Sequence, residues 1–335
     1  MVTVDDTSRA RLQATPAGIQ RFCTMPFGLS AHWGLYALVG RGEWAMHIDR
    51  IPLEEYERLQ ERFNPAGFDA DTWVDMIADS GARAFMITTK HHDGFCLYDS
   101  AVTEYKVTNT PFGRDPIAEL AVACHRRGIA LHFYYSLLDW HHPDYRRNWP
   151  AYVTYYQAQV RELCTNYGEV GGILFDGYWP RFPHKSETEY FRPGGSWDLT
   201  GTYDLIHTLQ PDAMVVNNHH VLPLAGEDYQ IWELDLPGED TIGFNTSEIS
   251  PRPLATWFNV NTGWSYVTGD QAVKSLDDLN RYVVTSANRN ATCWLNIGPH
   301  PDGTIVPEEA AQLAQLGAWL RAHPAAVPPR RAGMP

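Results

Sequence analysis

From about residue 27 onward the chain alternates short apolar or aromatic runs with amphipathic segments, and this repeat constrains the fold more than any other feature. FGLSAHWG (27–34) precedes the helical pattern DADTWVDMIADSG (69–81), and ARAFMITT (82–89) precedes DPIAELAVACHRRG (115–128). IALHFYYSLLDW (129–140) is followed by YVTYYQAQVRELCTNYG (152–168), and GGILFDGYW (171–179) by GTYDLIHTLQP (201–211). AMVVNNHH, YQIWELD and the stretch around WFNVNTGW supply later strand-like runs, the last leading to SLDDLNRYVVTSA. ATCWLNIGP (291–299) then leads to PEEAAQLAQLGAWLRAHP (307–324). Gly81 and Gly128 stand where helix C-caps belong, and Asp69 or Asp71 is placed to cap the helix that follows it. Repeated strand–helix alternation implies a parallel sheet, and about eight strand candidates favour an α/β fold closed as a (β/α)8 TIM-like barrel over an open doubly wound sheet. The absence of G-x-G-x-x-G after an early strand weakens the dinucleotide-binding alternative.

A chain of 335 residues accommodates such a barrel as one domain. The expected organisation is an N-terminal extension over 1–24, a barrel over 25–325 and a Pro-rich tail over 326–335. A formal net charge of −14 argues against nucleic acid and anionic membrane surfaces as partners, since both are bound mainly through Lys and Arg clusters. A neutral or cationic ligand fits better. The 12 tryptophans and 17 tyrosines supply flat aromatic faces of the kind placed against the C–H faces of sugars, although rings also fill a large core. The five cysteines, at 23, 96, 124, 164 and 293, show no C-x-x-C pair or metal-type spacing and read as reduced, mostly buried thiols. The N-terminus MVTVDDTSRARLQATPAG has no apolar core of signal-peptide type, and no stretch approaches the roughly eighteen apolar residues of a membrane span. The expected location is cytoplasmic.

In a barrel of this kind, polar residues just past the C-terminal ends of the strands converge on one mouth, where chemistry sits. Here those positions hold His32 and Trp33, then His91, His92 and Asp93, then Tyr134, Tyr135 and Asp139 to His142. Asp176, His219, His220, Glu233, Asp235 and Glu239 complete the series. In ILFDGYWP an apolar strand ends in Asp176, Gly177 turns the backbone away, and Tyr178 and Trp179 surround the carboxylate with aromatic surface. Such a carboxylate suits a nucleophile or a partner for developing positive charge. Glycoside hydrolysis needs a second carboxyl group, and EDYQIWELDLPGED offers Glu227, Asp228, Glu233, Asp235, Glu239 and Asp240. Spacing does not choose among them. The histidines of KHHDGF and LLDWHHPDY also raise a metal reading. Adjacent histidines on a strand point to opposite faces, so His91 and His92 share one ion only across a bend or bulge, and no H-E-x-x-H, H-x-H or C-x-x-C accompanies them.

The runs FGLSAHWGLYALVGRGEW, FNPAGFDADTWVDMIADSGARAFMITTKHHDGFCLYDS and YKVTNTPFGRDPIAEL, continuing through YYSLLDWHHPDY, ILFDGYW, WELDLPGEDTIGFN, NTGWSYV and LNIGPHPDGTI, resemble glycoside hydrolase family 29, the α-L-fucosidases. The resemblance covers roughly residues 25–320. It implies a (β/α)8-like catalytic domain and a retaining double-displacement hydrolysis of terminal α-L-fucose from oligosaccharides or glycoconjugates, with no metal or organic cofactor. The family nucleophile, the aspartate of its F-D-G motif, corresponds to Asp176. Positions matching His32, Glu43, Trp44, His91, His92 and Tyr134 hold the fucose hydroxyls and ring, and Trp179, His219 and Trp264 are added as substrate-binding candidates. The acid/base position varies within the family; Glu239 in DLPGED is the first choice, then Glu233, then Asp235.

Three departures stand out. Leu174 occupies a position where many members have Trp, and NNHH places His219 where many carry Arg. Members also commonly continue into a C-terminal β-sandwich, which the 335 residues do not contain. Leu174 and His219 keep open a related glycosidase for another α-L-sugar such as an α-L-galactoside. A glycan-binding barrel without catalysis and a metal-dependent hydrolase are the readings from other classes. The residues leave the oligomeric state open.

Overall fold

The structure, a computed structural model, describes residues 12–180, 195–269 and 272–328. Its eight strands are β1 (Phe27–Ala31), β2 (Ala84–Lys90), β3 (Ala130–Ser136), β4 (Gly172–Asp176), β5 (Met214–Asn217), β6 (Gln230–Glu233), β7 (Leu254–Asn259) and β8 (Ala291–Ile297). They pair in parallel in the order β5-β4-β3-β2-β1-β8-β7-β6. This is the expected (β/α)8-type barrel, nearly closed, with a seam between β5 and β6. Every strand run read from the sequence contributes a strand.

The chain enters through α1 (Pro16–Thr24). Three short helices, α2 (Tyr36–Val39), α3 (Ala45–Ile48) and α4 (Leu53–Glu57), precede the first outer helix, α5 (Ala70–Ser80). The remaining helices are α6 (Pro116–Arg127), α7 (Asp144–Arg147), α8 (Trp149–Asn166), α9 (Leu199–Leu209), α10 (Leu276–Asn288) and α11 (Pro307–Ala322). Asp69 caps α5 by accepting from the Thr72 N–H at 2.7 Å, and Gly81 ends it at φ 93°, a conformation that glycine adopts without Cβ strain. Among the described residues no helix covers the connections after β5 and β6. Those two loops are therefore held by side-chain hydrogen bonds rather than by an outer layer.

Strand alternation sends every second residue into the barrel. Met86, Tyr134, Leu174, Val216, Ile231, Trp257 and Trp294 fill the interior. A Cβ on Gly28 would lie 2.5 Å from the Trp294 ring, so the missing side chain at 28 is what lets that indole occupy the centre. Ala14, Phe22, Cys23 and Met25 pack into the same interior cluster, with the Phe22 ring 4.5 Å from that of Tyr229. The segment expected as an extension thus supplies, over its described residues 12–24, the floor of the barrel. Residues 1–11, and 329–335 of the expected tail, lie outside the described residues.

Asp228 closes the seam. Its N–H donates to the Val215 carbonyl at 2.7 Å, and its carboxylate accepts from Val215 N at 2.7 Å, His207 Nε2 at 2.8 Å and Ala14 N at 2.8 Å. One buried carboxylate therefore ties together β5, the start of β6, α9 and the floor segment. Removing it leaves three buried donors unsatisfied. Asp228→Ala is expected to cost about 3–5 kcal/mol of stability, read as a lower midpoint in urea unfolding.

Candidate active site

The site residues are the top layer of the same inward-facing rows. Two residues beyond inward-facing Ser30 stands His32, and two beyond Leu174, Ile231 and Trp294 stand Asp176, Glu233 and Asn296. A cavity of about 270 Å³ opens above them, near the lower end of the roughly 300–1,000 Å³ typical of small-molecule sites. Asp176 and Glu233 line it, with Glu43 as a third carboxyl group. His32, His91, His92 and His220 supply imidazoles, and Trp44, Trp179, Trp257, Trp264 and Phe244 supply apolar walls. Among the described residues no Lys or Arg lines it.

Asp176 ends β4. Its Oδ2 accepts from the Tyr134 hydroxyl at 2.8 Å, and its Oδ1 is buried without a well-formed hydrogen bond. Burial pushes its pKa up to about 6, against the opposing pull of hydrogen bonding from Tyr134, the Gly177 N–H, Asn218 and Trp179. The carboxylate is ionised at neutral pH yet poorly solvated, which suits a group that must meet positive charge developing nearby.

The imidazoles of His32, His91 and His92 are neutral for a physical reason. Burial holds His32 down to about 4, with its Asn296 hydrogen bond acting the other way. Burial likewise lowers His91 and His92 well below the usual imidazole range. Two tautomers follow from the donors. Asn296 Nδ2 donates to the Trp264 carbonyl at 2.6 Å, so its Oδ1 is the acceptor facing His32 Nδ1 at 2.8 Å, and Nδ1 carries the proton. Ser136 Oγ spends its one proton on the Leu138 carbonyl at 2.6 Å, so His92 Nδ1, 2.6 Å away, must donate to it. The Nε2 atoms of both rings are then lone-pair acceptors, matched to hydroxyl donors. Glu43 accepts from Ser265 Oγ at 3.0 Å, and burial raises its pKa.

His91 and His92 both line the cavity, with ring centroids 4.1 Å apart. The strand alternation that would turn adjacent histidines to opposite faces does not reach them, because β2 ends at Lys90 after a register shift between Thr88 and Lys90, the kind of bend the sequence reading allowed for. The pair lies in the turn beyond, where strand alternation no longer applies. Beneath the turn, buried Lys90 Nζ meets Asp139 Oδ2 at 2.9 Å. Asp139 also accepts from the N–H groups of His141 and His142 at 2.9 and 2.7 Å. Asp93 accepts from the Tyr56 hydroxyl at 2.9 Å. Lys90 and Asp93 thus support the turn from below.

Four expectations change. Glu239 does not line the cavity; Arg289 Nη2 holds its carboxylate at 2.6 Å on a partly exposed rim. Glu233 lines it instead, accepting from Asn218 Nδ2 at 2.7 Å. Asp235 is buried and engaged by Thr241 and Asn245. His219 turns away from the cavity to Glu227 Oε2 at 3.1 Å, and His220, at φ 61°, takes the cavity-facing place. Tyr134 reaches Asp176 rather than the lining, its ring stacked on His91 at 5.5 Å. Leu174 packs inside the barrel and is not part of the wall. Of the cavity residues outside the expected binding set, His220 and Trp257 stood on or next to strand-like runs; Phe244 carried no local signal. Among the described residues no group of three His, Cys, Asp or Glu side chains has the arrangement of a metal site, and no helix is long and apolar enough to cross a membrane.

This arrangement matches known proteins over nearly its whole length. The chain is 33% identical to alpha-L-fucosidase isoenzyme 1 from Paenibacillus thiaminolyticus, with a TM-score of 0.81 over 92% of this chain and 76% of that one. It superposes with a TM-score of 0.80 and 25% identity on a Bacteroides thetaiotaomicron GH29 alpha-L-fucosidase trapped as a covalent intermediate with 2-fluoro-fucosyl fluoride, over 98% of this chain and 79% of that one. Alpha-L-fucosidase 1 of Arabidopsis thaliana is 29% identical over 278 residues, 76% of this chain, and the chain spans 52% of that plant relative's length. The alpha-L-fucosidase family model matches residues 7–324, and the chain therefore belongs to the alpha-L-fucosidase family.

Proposed function

We propose that this protein is a retaining exo-α-L-fucosidase in which Asp176 is the nucleophile and Glu233 the acid/base. The observation that carries the reading is that Asp176 and Glu233 line one sugar-sized cavity together with the neutral imidazoles of His32, His91 and His92 and one further buried carboxyl group. Attack by Asp176 on the anomeric carbon breaks the glycosidic bond while Glu233 gives its proton to the leaving oxygen. Water, deprotonated by Glu233, then attacks the same carbon and releases Asp176. His32 and His92 accept from sugar hydroxyls, and the tryptophan walls take the apolar ring face and methyl group. With three carboxyl groups and no Lys or Arg among the described lining residues, an anionic sugar would meet repulsion that those residues do not compensate. Fucose is neutral and fits. The α-L-galactoside alternative loses its motive, because Leu174 and His219 both lie off the lining.

The proposal has a direct test: release of fucose from synthetic α-L-fucosides by the wild type, with the first-formed anomer read by NMR. Appearance of β-L-fucose first, or of no fucose, would overturn it. The free enzyme needs Asp176 ionised, so kcat/KM is expected to fall as pH drops through about 6. Tyr134 stabilises the ionised form, so Tyr134→Phe raises the Asp176 pKa and moves this acid limb to higher pH. A pH–rate profile of both proteins checks the sign.

A further inference from the structure

One buried titratable group away from the cavity has no part in the proposed chemistry. Glu309, in the first turn of α11, is 1% exposed and does not line the cavity. Its Oε1 accepts from Asn261 Nδ2 at 2.6 Å and from the Gly298 N–H at 3.1 Å. The two donors stand on different elements, Asn261 in the loop after β7 and Gly298 just past β8. The Asn261 amide is engaged at both ends, since its Oδ1 accepts from the Gly263 N–H at 3.1 Å. Gly298 in turn lies directly against the loop. A Cβ there would stand 2.6 Å from the Ser265 carbonyl carbon and 2.7 Å from Tyr266 N, so the missing side chain lets the two backbones touch. Burial pushes the Glu309 pKa up to about 7, against the opposing pull of the Gly298 N–H and Asn261. With a proton on Oε2, Oε1 still accepts both bonds, so the clamp depends on shape rather than on charge.

The clamped loop carries two groups of the site. Trp264 walls the cavity, and its carbonyl accepts from Asn296 Nδ2 at 2.6 Å, the bond that leaves Asn296 Oδ1 facing His32. Ser265 Oγ donates to Glu43 Oε2 at 3.0 Å. Both contacts are broken if the loop slides along the end of β8. Apolar packing tolerates such sliding, whereas hydrogen bonds to two particular donors do not, because they weaken steeply with distance and angle. We propose that Glu309 is a positioning residue for the sugar site: by locking Asn261 to Gly298 from the outer helix layer, it sets Ser265 against Glu43 and the Trp264 carbonyl against Asn296. Glu309 touches neither the sugar nor the reacting atoms. It acts through the loop, and a shift of about 1 Å at that distance is enough to cost a site up to about a hundredfold.

This role rests on the fucosidase reading, and the test separates the two. Wild type, Glu309→Ala, Glu309→Gln, Ser265→Ala and the Glu309→Ala/Ser265→Ala double variant are compared on nitrophenyl α-L-fucoside, at a temperature where circular dichroism shows each to be folded. Glu309→Ala is expected to lower kcat/KM by about tenfold, mainly through KM, because Trp264 and Glu43 hold the sugar rather than the bond being broken. Glu309→Gln, whose amide oxygen accepts in place of Oε1, should stay within about twofold of wild type. In the Ser265→Ala background the Glu309→Ala change should cost about threefold or less, since one of the contacts it acts through is already gone. Asn261→Ala removes the loop end of the clamp and takes the place of Glu309→Ala if that variant does not fold. Wild-type kcat/KM in Glu309→Ala, equal impairment of Glu309→Gln and Glu309→Ala, or losses that simply multiply in the double variant overturns the role and leaves the fucosidase standing. A wild type inactive on every α-L-fucoside overturns both.

Discussion

Asp176→Ala and Asp176→Asn are expected to lower kcat on α-L-fucosides by on the order of 10⁴-fold or more. In the proposed mechanism the carboxylate forms a bond to carbon, and neither neighbouring carboxyl group would replace it: Glu43 is held by Ser265, and Glu233 is assigned to the leaving group. The alanine variant carries the sharper signature. It opens space where Asp176 stood, and added azide should attack the anomeric carbon from that face in a single displacement, giving β-L-fucosyl azide. Equal activity of wild type and both variants would remove Asp176 from the mechanism.

Glu233→Ala is expected to lower kcat/KM by about 10²–10⁴-fold on substrates with poor leaving groups. A nitrophenyl or fluoride leaving group departs without a proton and should suffer much less. With such a substrate the fucosyl–enzyme still forms, so azide now enters from the opposite face and yields α-L-fucosyl azide. The two variants thus give opposite anomers, which assigns both roles in one product analysis. Glu239→Ala serves as the comparison. It breaks a partly exposed pair with Arg289, worth less than about 1 kcal/mol, and should show neither the leaving-group dependence nor azide rescue. If Glu239→Ala shows them and Glu233→Ala does not, the acid/base assignment is reversed.

Choosing between these two glutamates shows where local reading ends. Both lie in the acidic stretch EDYQIWELDLPGED, and each follows an apolar run or a turn. Glu233 enters the cavity because β6 carries it on the inward row above Ile231. Glu239 lies beyond the turn, and its partner Arg289 is 50 residues away. No spacing rule reaches that far. The paired histidines divide in the same way. His91 and His92 face one cavity because the strand stops one residue before them, whereas His219 and His220 separate because His220 adopts a left-handed turn held by Asn245.

What the amino-acid order determined alone was whatever depends on short-range period and chain punctuation. The apolar runs became strands, Asp69 and Gly81 bounded their helix, and Asp176 came to rest at a strand end. These outcomes follow from backbone geometry repeated every two or 3.6 residues. The tertiary structure decided which chemically equal residues share a cavity and in what protonation state. It selected Glu233 over Glu239 and His220 over His219. It made His32 and His92 neutral acceptors through Asn296 and Ser136, and recruited Phe244 from a loop with no periodic signal. Each choice depends on burial and on hydrogen-bond partners tens to hundreds of residues distant, such as the 264 positions between His32 and Asn296. Only the folded barrel brings those groups within hydrogen-bonding distance.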